Sequence, residues 1–173
     1  MAQTSYTIDI PAVSYPGQIA DASKVLDVLS VLNVAAAIPF GVFVSKDLSN
    51  SGGFDKLAGK VPATGTDITT LGSLLGVALC EQTLAQDSSV AVPTWPIKSA
   101  MPVMRKGRVW VLSETDVTDG AQIYVRHTAS GGNTQLGKVR KDADSATAAL
   151  APGCVFRGTY ASAGYVCVEI DLA

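Results

Sequence analysis

Short apolar segments separated by turns run through this chain, and they constrain its fold more than any other feature. The segments 40–45, 101–111 and 165–172 are apolar or alternate between apolar and polar residues. A period of two residues is typical of strands that bury one face. Turn sequences such as Tyr15-Pro16-Gly17 and Asp119-Gly120 interrupt the segments. The pattern predicts an all-β fold, either a jelly-roll-like sandwich or a barrel.

The N-terminal residues have a different organisation from the rest. Tyr6, Ile8 and Ile10 alternate with polar residues until Pro11 interrupts the pattern. A short β-capable segment beside a terminus can pair with another chain. The sequence therefore predicts an N-terminal arm over 1–17 and a single β-rich domain over 18–173, whose length suffices for one hydrophobic core.

One stretch fits helical rather than strand spacing. Val25, Val28, Leu29 and Leu32 recur at intervals of three and four residues, and Asp21 or Ser23 could cap the first turn. This spacing predicts one helix over about 21–34 within the otherwise β-rich chain.

The composition excludes several classes of partner. Charged residues make up 16% of the chain, against about 25% in ordinary domains. A surface with few charges suits a chain that partners cover, although a compact domain with a Ser- and Thr-rich surface is the alternative. The net charge of −2 argues against a nucleic-acid partner. Neither an apolar run of about 20 residues nor a signal peptide is found, so we expect no membrane partner and folding in the cytoplasm.

The residues needed for catalysis or metal binding are sparse. His127 is the single histidine, and no serine lies in a Gly-x-Ser-x-Gly motif. Glu114, Asp116 and Asp119 could hold a hard cation, but acidic residues near a turn more often bond the turn backbone. We expect no catalytic, cofactor-binding or metal site, and no cofactor.

Three cysteines are present, Cys80, Cys154 and Cys167. An odd number without a metal-binding spacing favours thiols packed in the core. A Cys154–Cys167 disulfide stays open as an alternative, because both residues fall on segments that could be neighbouring strands.

Six segments taken together resemble one family. They are Tyr15-Pro16-Gly17-Gln18-Ile19-Ala20-Asp21, Ile38-Pro39-Phe40-Gly41-Val42-Phe43-Val44, Leu74-Leu75-Gly76-Val77-Ala78, Arg105-Lys106-Gly107-Arg108-Val109-Trp110-Val111, Val117-Thr118-Asp119-Gly120-Ala121-Gln122-Ile123-Tyr124-Val125 and Gly164-Tyr165-Val166-Cys167-Val168-Glu169-Ile170. In this order and spacing they are similar to the structural cement proteins, or capsid decoration proteins, of tailed bacteriophages.

The resemblance implies a non-enzymatic β-barrel or jelly-roll-like protein on the outside of an icosahedral phage head. Such a protein binds the major capsid protein and braces neighbouring capsomers. It implies a homodimer or homotrimer at local symmetry axes, assembled in the host cytoplasm and carried on the virion.

The residues expected to contact the shell or another copy are apolar or aromatic residues of the arm, one tryptophan flanked by prolines, and two arginines of a basic strand. They are Tyr6, Ile8, Ile10, Tyr15, Trp95, Arg105 and Arg108. Tyrosine and tryptophan suit interfaces because they combine a large apolar area with a polar tip. For Tyr6 and Tyr15, packing within their own domain is an equal alternative. Trp110, in the middle of a strand, is expected in the core.

Three other functions remain open at this point. One is a different virion subunit, at the head–tail junction or in the tail tube. Another is a carbohydrate-binding β-sandwich on the virion surface, for which Trp95 would have to supply an exposed aromatic platform. The third is an enzyme that uses dispersed carboxylates.

Overall fold

The computed structural model describes residues 15–21, 26–49, 57–70, 72–80 and 93–172. About half of these residues lie in strands and only one short helix is found among them, so the all-β prediction is confirmed. The strands are β1 Ile19–Asp21, β2 Asp27–Asn33, β3 Ile38–Pro39, β4 Phe43–Lys46, β5 Ala58–Lys60, β6 Leu74–Ala78, β7 Thr94–Trp95, β8 Ala100–Ser113, β9 Gln122–Arg126, β10 Val139–Arg140, β11 Ala148–Arg157 and β12 Gly164–Asp171. Residues 1–14 of the expected arm lie outside the described residues.

Strand β8 organises the whole sheet. It is 14 residues long and pairs with β1, β2, β6, β10 and β12. Its first half pairs with β2, from Asp27 opposite Lys106 to Leu32 opposite Ala100. Its second half pairs with β12, from Asp171 opposite Lys106 to Gly164 opposite Ser113. The two halves of β8 therefore pair with different neighbouring strands.

The pairings close two rings that share β8. The first ring runs from β8 through β2, β5, β4 and β6 back to β8, and the second runs through β12, β11, β9 and β10 back to β8. Closure removes most of the open edges that a sheet would otherwise expose. Among the described residues, only β3 and β7 form a separate two-stranded sheet.

Two hydrophobic clusters lie on opposite faces of the strands between the rings. In β6, Leu74 and Val77 belong to one cluster, whereas Leu75 and Ala78 belong to the other. All five residues of β6 are buried. A strand buried on both faces needs apolar residues at every position, which explains the continuous run Leu-Leu-Gly-Val-Ala.

The predicted helix over 21–34 is wrong. Residue 21 ends β1, and residues 27–33 form β2. Burial alternates in β2: Leu29 and Val31 are less exposed than Val28 and Ser30. The apolar residues fit both a helical and an alternating period, and antiparallel pairing with β8 selects the alternating one.

The single helix of the described chain is one turn, α1, over Thr66–Thr69. The Asp67 carboxylate accepts hydrogen bonds from the backbone N–H groups of Ala63 and Thr64, at 2.9 and 3.0 Å, while Ile68 is buried beneath it. The described residues contain no helix long and apolar enough to cross a membrane.

Candidate interaction surface

A concave groove of about 240 Å³ opens on the surface where the first described residues meet the two rings. It is lined by aromatic, aliphatic and proline side chains together with one lysine, among them Tyr15, Pro16, Phe40, Leu112, Lys138 and Tyr165. Tyr15 and Tyr165 are 39% and 44% exposed. Large aromatic side chains left exposed beside an apolar hollow are typical of an interaction surface.

The backbone fixes the position of Tyr15 at the groove. The Gly17 N–H donates to the Trp110 carbonyl at 2.7 Å, and the Gln18 side-chain oxygen accepts from the Tyr15 N–H at 3.2 Å. On the other side, the N–H of Cys80, which follows β6, donates to the Gly17 carbonyl at 3.0 Å. The turn that carries Tyr15 is thereby attached to both rings.

A row of paired charges crosses β1, β8, β12 and β11. The Arg108 Nε lies 2.7 Å from the Glu169 carboxylate, and its Nη1 lies 3.6 Å from Asp21. The Arg157 Nε lies 3.0 Å from the same Glu169 carboxylate. Arg105 pairs with Asp27 at 3.7 Å. The two predicted contact residues, Arg105 and Arg108, are therefore on the surface, but each is already paired within the chain.

Glu169 makes this row sensitive to acid. Hydrogen bonds from Arg157 and then Arg108 lower the pKa of Glu169 from 4.5 to about 2. A carboxylate with a depressed pKa stabilises the fold above its unfolded pKa and loses that effect as the pH falls through the folded value. We expect Glu169→Gln to lower the urea midpoint at pH 6. The difference from the wild type should shrink between pH 4.5 and pH 2.

The matched control for this prediction is Asp171→Asn, since Asp171 pairs with the exposed Lys106 at the end of the same strand. An exposed ion pair contributes about 0–1 kcal/mol to the free energy of unfolding, so Asp171→Asn should lower the urea midpoint only slightly. A Glu169→Gln variant whose deficit stays constant from pH 6 to pH 2 would contradict the assignment.

A buried ion-pair network, which the sequence did not predict, supports the second ring. Arg126 is fully buried, and its Nε donates to both oxygens of Glu114 at 2.7 and 2.8 Å. Its Nη2 lies 2.6 Å from Asp144, whose carboxylate also lies 2.6 Å from Arg140. The pKa of Asp144 is lowered, chiefly by the hydrogen bond from Arg126. The network attaches the loop 141–147 to β9 and β10.

The two tryptophans are not where the sequence suggested. Trp95 is 5% exposed, and its ring lies tilted against that of Phe40, with the centroids 5.6 Å apart. Its indole N–H donates to the Leu79 carbonyl at 2.8 Å. This burial removes it from the accessible surface of the described chain. Trp110, expected in the core, is half-buried on the outer side of β8 and makes an edge contact with Tyr160 at 6.4 Å.

The acidic residues of the 114–119 turn do not converge on a common point. Glu114 is committed to Arg126, while Asp116 pairs with Lys141 at 2.6 Å. Asp119 accepts from the Gly158 N–H at 2.7 Å. No group of three potential metal ligands occurs among the residues that the structure describes.

The three cysteines are free thiols. Cys154 and Cys167 do lie on paired neighbouring strands, opposite Ile170 and Arg157 respectively. Cys154 packs in the core, where burial raises its pKa to about 12. Cys167 lies three positions before Ile170, the residue opposite Cys154, so the two thiols lie on opposite faces of the sheet and no disulfide forms.

Comparison with known proteins places this β-rich chain among phage virion structural proteins. Over residues 2–171 it matches the family described as structural cement protein (E217 gp24/Pam3 gp6), and the chain belongs to that family. No curated protein matches it.

Among solved structures, a chain from "The capsid of Myoviridae Phage XM1" is similar, with a TM-score of 0.64 and 14% identity over 98% of both chains. At that identity the similarity concerns the fold alone.

Proposed function

We propose that the protein binds the outside of an icosahedral phage head and bridges neighbouring capsomers of the major capsid protein. Its membership of the structural cement protein family supports association with a capsid. A homodimer or homotrimer at a local symmetry axis would multiply the contacts each subunit makes.

The observation that carries the bridging proposal is the strand shared by the two rings. Because β8 is a wall of both rings, the halves of the molecule cannot turn relative to each other without breaking its pairings with β2 or β12. A rigid body that touches two capsomers makes its second contact at high effective concentration. Such a bridge resists separation of the capsomers far better than either contact alone.

The residues that we propose as contacts, with the shell or with another copy of the chain, are of two kinds, apolar or aromatic residues and arginines. Tyr15 offers an exposed aromatic ring beside the apolar groove. Arg105 and Arg108 are partly exposed, so their remaining donors can meet acidic groups of the shell, where complementary charge fixes orientation. Tyr6, Ile8 and Ile10 remain proposed contacts in a segment outside the described residues. The burial of Trp95 removes the aromatic platform on which the carbohydrate-binding alternative depended.

Adding the purified full-length chain to heads that lack it tests the proposal. We expect new density at the outer joints between capsomers and DNA release at a higher temperature, because each bridge must break before the shell opens. Cryo-electron microscopy gives the position, and a DNA-binding dye followed during heating gives the release temperature. Heads incubated without the chain are the control. Density confined to the tail or to the head–tail junction, or full occupancy with an unchanged release temperature, contradicts bridging.

A further inference from the structure

The groove beside Tyr15 has a simple chemical character. Its lining is apolar or uncharged apart from Lys138. The Lys138 side chain is half-buried, and within the described part of the chain it forms no ion pair. An ammonium group at the edge of an apolar hollow favours a ligand that offers apolar groups together with one carboxylate.

The dimensions of the groove favour side chains of an extended segment over a small molecule. Its volume of about 240 Å³ lies below the range of about 300–1,000 Å³ that is usual for small-molecule pockets. A shallow hollow of this size accepts one or two side chains of a strand-like peptide. The hollow does not need to enclose the rest of such a peptide.

The chain itself contains a segment with the matching chemistry. Tyr6, Ile8 and Ile10 supply apolar side chains, and Asp9 is the single charged side chain among residues 1–14. In an extended segment the Asp9 side chain points to the opposite side from Ile8 and Ile10. A segment that lies edge-on along the rim can therefore turn its isoleucines to the hollow and its carboxylate to the Lys138 ammonium, which ends a long flexible side chain. The single cation of the groove and the single anion of the segment are complementary.

We propose that the groove binds residues 6–10 of a second copy of this chain. Tyr15 itself lines the groove, so binding in the same copy would require the backbone to reverse within residues 11–14. A second copy requires no reversal, because the nine residues 6–14 span about 30 Å when extended. Each copy would thus give its N-terminal segment to a neighbour. This inference goes beyond the proposed function and does not depend on the capsid.

A charge exchange in the full-length protein tests the inference without any capsid. Sedimentation velocity over a range of concentrations measures the self-association of the wild type and of Asp9→Lys, Lys138→Glu and the double variant. Each single change places like charges together, and we expect it to weaken association by about tenfold or more. The double variant restores opposite charges and should regain most of the wild-type affinity.

The controls separate loss of binding from loss of folding. Lys98→Glu changes the same charge on an exposed lysine that does not line the groove, and association should stay at the wild-type value. Tyr165→Ser removes a partly exposed ring of the groove and should weaken association, while the variant still unfolds in one cooperative transition. Thermal unfolding of every variant checks that the fold is intact.

A second measurement establishes which copy supplies the segment. With Asp9→Cys and Lys138→Cys in one full-length chain that also carries Cys80→Ser, to remove the partly exposed native thiol, oxidation should yield covalent dimers or higher oligomers that reduction separates. A wild-type protein that sediments as a monomer at every concentration overturns the inference. So does a double charge variant that fails to regain association, or a cross-link formed entirely within one chain. Failure to bind heads would instead count against the proposed function.

Discussion

Replacing Arg126 with methionine is expected to lower the free energy of unfolding by about 3–5 kcal/mol. Methionine fills much of the space of the fully buried arginine, but it leaves the Glu114 carboxylate, 2% exposed, with Arg140 at 3.5 Å as its remaining partner. Removing one member of a buried ion pair is costly because the other charge stays desolvated. Urea unfolding at neutral pH measures the loss.

Two further variants isolate the cause of that loss. Adding Glu114→Leu to Arg126→Met removes the uncompensated charge, so the double variant should recover part of the stability. Lys141→Ala breaks the exposed pair with Asp116, and its cost should stay within about 1 kcal/mol. Equal losses for Arg126→Met and Lys141→Ala would contradict the role we assign to the network.

A second large effect is expected for Gly76→Ala in β6. The backbone of Gly76 has a φ of +141°, which side chains other than glycine rarely adopt. A Cβ at this position would overlap the Met104 backbone carbonyl of β8. Backbone strain of about 1–3 kcal/mol then adds to a similar cost of overpacking. We therefore expect a loss of about 3–5 kcal/mol in thermal or urea unfolding.

The matched control is Gly120→Ala, at a glycine with φ of +76° and no atom within 4 Å of the added Cβ. Gly120→Ala introduces backbone strain without a steric overlap, so it should lower the free energy of unfolding by about 1–2 kcal/mol. If the two substitutions lower the free energy of unfolding equally, the close contact between β6 and β8 does not restrict the residue type at position 76.

The sequence predicted strands best where one face is buried and the other is exposed. The segment 101–111, for example, lies within β8. The segment 165–172 contains most of β12, which pairs with β11 and β8. Their local pattern and their long-range pairing agree, so the pattern alone identified them.

The error at 21–34 arose where that pattern was ambiguous. Val28, Leu29 and Leu32 satisfy helical spacing, but pairing with β8, about 70 residues later in the chain, decides the conformation. The pairing of β2 with β8 cannot be inferred from a single sequence. The same reason explains why the two rings could not be predicted: ring closure depends on which strands meet.

The buried network escaped sequence analysis for a different reason. Because side chains alternate along a strand, Arg126 lies on the outer face of β9, whereas Ile123 and Val125 lie on the inner face. The loop 141–147 covers that face, with Asp144 reaching back to the guanidinium. The residues of this loop are small, polar or charged, a composition typical of solvent-exposed loops. A charge pattern alone does not distinguish a solvated arginine from one that a loop encloses.

The position of β8 along the chain has a consequence for synthesis on the ribosome. The first ring closes only after residues 100–106 have emerged, and the second requires β12, which ends at Asp171. Nascent β2 and β6 must therefore remain without their common partner β8, with unpaired backbone available to other chains. Folding that depends on such distant contacts is slow and exposes intermediates to aggregation. We expect the yield of folded subunits to depend on how fast the middle of the message is translated and on chaperones that protect the waiting strands.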